Sequence, residues 1–86
     1  MAIVAKIVTK TANVDASIDL GVGKKLYGIC RKYGVDVYVL QNGTEARLLD
    51  NSIVQQFFPV PLDFAASSTL VFKGTGAATI TVLVEE

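Results

Sequence analysis

Five aspartates, Asp15, Asp19, Asp36, Asp50 and Asp63, are the residues of this chain best suited to chemistry. Clustered carboxylates hold calcium, and paired ones act as the acid and base of glycoside hydrolysis. Here the spacing matches no EF-hand loop, and no local pair stands out as an acid/base couple. They read as ordinary strand and turn residues. Gly21-Val22-Gly23-Lys24-Lys25 has the residue types of a phosphate loop but not the spacing, and Leu26 stands where a hydroxyl is needed. The chain has no His and one Cys. That excludes His-based catalysis and the common His and thiolate metal sites, and it leaves no internal disulfide. Cys30 reads as a small buried hydrophobe. No cofactor is implied, and the expectation is a non-enzymatic protein.

Two further groups point to binding rather than reaction. Tyr27, Tyr33 and Tyr38 could form a sugar-stacking platform, or sit as ordinary aromatics at a core edge or interface. Lys24, Lys25, Arg31 and Lys32 form the only basic cluster. It reads as a solvated face, or as the complement of an acidic patch on a partner protein.

The elements that must position these residues have period two almost throughout. Ala2 to Thr9 alternates Ile3, Ala5 and Ile7 against Val4, Lys6, Val8 and Lys10. The lysines mark the solvent side, so the first set is expected inward. Val14 to Leu20 places Val14, Ala16, Ile18 and Leu20 opposite Asp15, Ser17 and Asp19, and ends at Gly21-Val22-Gly23. Lys24 to Tyr33 fits two patterns. Leu26, Ile29, Cys30 and Tyr33 have helical spacing, but no N-cap precedes Lys24, and two lysines in a first turn oppose the helix dipole. A strand is favoured, turning at Tyr33-Gly34. Val35 to Leu40 is a strand, Asn42-Gly43 a strong hairpin signal, and Thr44 to Leu49 the returning strand. Asp50-Asn51-Ser52 makes another turn.

Ile53 to Phe64 carries Pro59 and Pro61, which cannot both serve a central ladder; it is an edge strand or extended crossover. Thr69 to Phe72 and Ala77 to Val84 flank Lys73-Gly74-Thr75-Gly76 and read as a final hairpin. Leu70 and Phe72 share one face of the first run; Ile80, Val82 and Val84 form an aliphatic face on the second. The expected architecture is all-β: one domain over residues 1–86, an antiparallel, jelly-roll-like β-sandwich of seven or eight strands. A compact α+β domain with a helix at Lys24 to Tyr33 is the alternative.

Hydrophobic residues make up 51% of the chain and charged residues 19%, against about 25% charged in typical domains. The formal net charge is zero. That balance argues against nucleic acid as the main partner, because phosphate binding needs a positive surplus. No segment reaches the 18 or more apolar residues of a membrane helix. The apolar surplus has to go somewhere. On the alternation above, Val4, Val8, Tyr38, Leu40, Val71 and Leu83 point away from the core and form a candidate protein interface.

The order Gly23-Lys24-Lys25-Leu26-Tyr27, Asn42-Gly43-Thr44, Phe57-Phe58-Pro59-Val60-Pro61-Leu62, Thr69-Leu70-Val71-Phe72 and Ala78-Thr79-Ile80-Thr81-Val82 resembles small virion proteins of tailed bacteriophages. These include jelly-roll head decoration, or cement, proteins. The resemblance implies a homo-oligomer, often a trimer, docked on major capsid or other virion protein and made in the host cytoplasm. It brings no catalytic motif. A small sugar-binding or host-attachment module of a phage particle is the other reading kept open.

Overall fold

A computed structural model describes residues 2–22, 24–31, 34–50, 55–64 and 66–85. Eight strands follow one another: β1 (Ile3–Lys10), β2 (Ala16–Gly21), β3 (Lys25–Cys30), β4 (Asp36–Gln41), β5 (Thr44–Leu49), β6 (Gln55–Asp63), β7 (Ser68–Lys73) and β8 (Ala78–Glu85). They form two four-stranded sheets, ordered β1-β8-β3-β6 and β2-β7-β4-β5. Every pairing is antiparallel. First pairs with last, second with seventh, third with sixth and fourth with fifth. The chain is thus one long hairpin ribbon folded over itself, which is the jelly-roll arrangement of two sheets. Within Lys24 to Tyr33, Lys25–Cys30 is a strand, and no helix is present among the described residues.

The core is the meeting of two aliphatic stripes. Leu70 and Phe72 of β7, with Val37 of β4, face Ile80, Val82 and Val84 of β8 and Leu26 and Ile29 of β3; all are at most 3% exposed. Sheets stacked about 10 Å apart let such side chains interdigitate and exclude water. Removing one large ring from that layer, as in Phe72→Ala, costs about 3–5 kcal/mol by this physics.

This packing corrects the expected final hairpin. β7 pairs with β2 and β4, while β8 pairs with β1 and β3, so the two belong to different sheets. A hairpin would put both stripes on one face of one sheet. Crossing between sheets instead sets them face to face, so each covers the other. The glycine-rich turn residues are common to both solutions.

The crossing itself explains a second correction. Lys10, expected on the solvent side, is 1% exposed. Its Nζ donates to the carbonyl oxygens of Gly74 and Gly76, each at 2.7 Å, and to that of Thr11 at 3.2 Å. Three acceptors match the three protons of an ammonium group, which is how so polar a tip tolerates burial. Gly74 has φ +131°, and a Cβ there would lie 2.3 Å from the carbonyl oxygen of Gly34. Only glycine fits this contact.

With Lys10 inward, the whole of β1 is turned the other way from expectation. Val4 and Val8 pack against the core, while Ile3 and Ile7 are 58% and 69% exposed. Both alternating sets are aliphatic, so the sequence weighed only the lysines, and Lys10 misleads because its partners are distant backbone carbonyls. Val14, expected inward on the second strand, precedes β2 and is exposed. The tight turn at Asn42-Gly43 is present, with φ of 52° and 77° as a type I′ hairpin requires. β6 is an edge strand, its prolines placed where its register with β3 breaks. The turns expected at Tyr33-Gly34 and Asp50-Asn51-Ser52 lie partly outside the described residues.

Candidate interaction surface

The outward side of the β1-β8-β3-β6 sheet is built from the odd-numbered residues of β1 and β8. Register runs one row of side chains across all four strands: Ala5 opposite Leu83, Leu83 opposite Gly28, Gly28 opposite Phe57. Ile7, Thr81, Cys30 and Gln55 form the next row. Phe57 is 50% exposed, and Val60, in the proline-flanked bulge of β6, is 79% exposed. Tyr27 donates a hydrogen bond to Glu85 Oε2 at 3.4 Å. Glu85 is the one charged side chain that β1 and β8 contribute to this side. From β3 and β6, Lys25 and Asp63, partners in register, add charge at the Glu85 end, and the rows beyond them form an apolar surface of the kind that marks interaction sites.

The other sheet's outer side differs in kind. Tyr38, Leu40 and Val71 do point outward there, with Tyr38 directly opposite Val71. Charge overlies them. Lys73 Nζ lies 5.0 Å from the centre of the Tyr38 ring and pairs with Glu45 at 2.5 Å. That hydrogen-bonded carboxylate holds the Lys73 pKa above its ordinary value. Arg47 stands opposite Tyr38, and Thr69 Oγ1 donates to Asp19 Oδ1 at 2.7 Å. Tyr38, Leu40 and Val71 are therefore half-buried beneath a polar network.

The six expected interface residues thus separate into three groups. Val4 and Val8 are withdrawn into the sandwich, Tyr38, Leu40 and Val71 lie on the charged side, and Leu83 lies on the apolar one. Sequence reasoning missed Ile3, Ile7 and Phe57, and the first two follow from the inverted register of β1.

The remaining candidates do not assemble. Tyr27 and Tyr38 belong to different sheets, so they share no platform, and Tyr33 lies outside the described residues. Arg31 leaves the basic cluster: it is 6% exposed, and its guanidinium donates to the carbonyls of Val35 and Asp50, the latter at 2.6 Å. Burial lowers its pKa, against the opposing fields of Asp36 and Asp50. The five aspartates are dispersed, and among the described residues no three His, Cys, Asp or Glu side chains converge as a metal site. Gly21-Val22-Gly23-Lys24-Lys25 leads into strand β3, so no helix N-terminus is there to receive a phosphate. A cleft of about 350 Å³ opens where β1 and β2 diverge, floored by Ile18, Leu20 and Val84 and rimmed by Lys6, Asp19, Lys24 and Glu85. Among the described residues no helix is long and apolar enough to cross a membrane.

Comparison with family models, with curated proteins and with solved structures returns no match.

Proposed function

We propose that this chain is a non-enzymatic structural protein of a phage particle, a decoration or cement protein that binds the assembled head as a homo-oligomer and stabilises it. The observation that carries this reading is the apolar row Ala5–Leu83–Gly28–Phe57, flanked by exposed Ile3 and Ile7. With a net charge of zero, burial of apolar area is the available source of binding energy, at about 25 cal/mol per Å². Zero net charge also does little to hold copies apart. A jelly roll serves capsids, lectins and enzymes alike, so the fold supports this reading without deciding it.

The test compares particles with and without the protein on heating. A ligand of the assembled shell alone stabilises it by mass action, so decorated shells should disassemble at higher temperature than bare ones. Equal melting would count against the cement role. Saturable binding to a glycan array would instead favour a sugar-binding module, for which the cleft between β1 and β2 offers the hydrogen-bonding groups.

A further inference from the structure

We infer that two copies of the chain join through the free edge of β1, antiparallel about a two-fold axis passing beside Ala5. This deepens the homo-oligomer part of the proposed function and does not depend on the shell. The four sheet edges are unequal. β6 is interrupted by Pro59 and Pro61 and by a break in register. β5 carries Glu45 and Arg47, and β2 is short and breaks register between Asp19 and Gly21. These are the ordinary ways in which edges are kept from pairing. β1 is the longest uninterrupted edge: eight residues, no proline or glycine, and unbroken register with β8 from Ile3 to Lys10. Of its two lysines, Lys10 is held by the Gly74 and Gly76 carbonyls and Lys6 lines the cleft on the inward side. With the other edges closed, the edge that best fits β1 is another β1.

The axis position follows from side-chain parity and charge. Opposed residues in an antiparallel pair share a face, so outward residues must meet outward ones, and the axis passes beside a residue. An axis at Lys6 would set Lys6 against its own copy, and like charges directly opposed are destabilising. An axis at Val4 shortens the overlap. An axis at Ile7 sets Ala5 against Thr9 and wastes Ile3. At Ala5, Ile3 meets Ile7 of the second copy, Lys6 meets Val4, and seven residues from Ala2 to Val8 overlap. The axis also keeps both apolar outer surfaces on one side, so the dimer presents one continuous eight-stranded face.

Seven paired residues span about 24 Å. Bounded by that length and by the 19 Å thinnest dimension of the molecule, the contact is at most about 450 Å² per partner. Stable complexes bury about 800 Å² per partner, so the dimer belongs to the weak class that forms at micromolar concentration and above. Pairs of such dimers would bind a lattice with added avidity.

The test is cysteine cross-linking of the purified protein, without shells, in a Cys30→Ser background. Opposed Cα atoms in an antiparallel pair lie about 4.5–5.5 Å apart, within disulfide range. Ala5→Cys should therefore link to itself under mild oxidation. Ile3→Cys should link poorly to itself, its copies being about 14 Å apart, and well to Ile7→Cys in a mixture. The expected rate advantage of Ala5→Cys over Ile3→Cys alone is roughly tenfold. Equal rates for the two, or a wild-type protein that sediments as a monomer at millimolar concentration, would overturn the proposal. The second result would mean that β1 is left for a strand of a different protein. Either failure leaves shell binding to be judged by its own experiment.

Discussion

The ring of Phe57 lies against Gly28 so closely that a Cβ on that glycine would sit 2.7 Å from the ring's Cδ1. The two are register partners, and the aromatic side chain covers backbone that a glycine leaves bare. This contact holds Phe57 down as the end of the apolar row. Gly28→Ala should push the ring off the sheet and destabilise the fold by about 1–2 kcal/mol, by overpacking. In a Phe57→Ala background the same change should cost markedly less, a coupling that a double-mutant cycle in urea measures directly.

Lys10 should prove to be the pin of the β7–β8 crossing. Lys10→Met keeps most of the stem but leaves the carbonyls of Gly74 and Gly76 without their donor. Both bonds are part-buried, and hydrogen bonds to a charged group contribute about 1.5–3 kcal/mol each, so a loss of about 3 kcal/mol is expected. For a domain of this size that is a fall in Tm of roughly 12–24 °C. A loss under about 0.5 kcal/mol would mean that water replaces the ammonium at no cost.

Alkaline pH should expose the Lys73–Glu45 pair. The raised pKa of Lys73 means that its stabilising contribution is fully present below the ordinary lysine value of 10.5 and is lost as pH rises through the higher folded value. The difference in Tm between wild type and Lys73→Met should therefore be constant through neutral pH and shrink in strongly alkaline buffer. The pair is exposed, so the difference should also shrink with added salt.

What the sequence disclosed and what it hid divide along physical lines. Asn42-Gly43 fixed one hairpin because only such residues accept its dihedral angles, and Pro59 and Pro61 marked an edge because they lack the donor a ladder needs. Period-two alternation gave seven or eight strands, with Lys24 to Tyr33 open to a helical reading. It could not orient β1, where Ile3, Ala5 and Ile7 compete with Val4 and Val8 on equal terms. Nor could it distinguish a turn within a sheet from a crossing between sheets at Lys73 to Gly76. Lys10 decides both, through carbonyls 64 and 66 residues away, which no local pattern contains. Leu83 was found because β8 has a single wholly aliphatic face to bury. Ile3, Ile7 and Phe57 became visible only with the register.

The central claim is that the β1-β8-β3-β6 face, and not the charged one, docks on protein. Co-sedimentation with purified phage heads, for wild type, Ile7→Lys and Val71→Lys, tests it most directly. Both positions face outward, one on each sheet, so either change should leave the fold intact. Burying an isoleucine contributes about 1.5–3 kcal/mol, so Ile7→Lys should weaken binding roughly tenfold or more, while Val71→Lys changes it by less than about twofold. Wild-type binding should persist in 1 M salt, about where charge pairs are screened to within 3 Å. Equal weakening by both changes, or wild-type binding abolished by salt, would contradict the account.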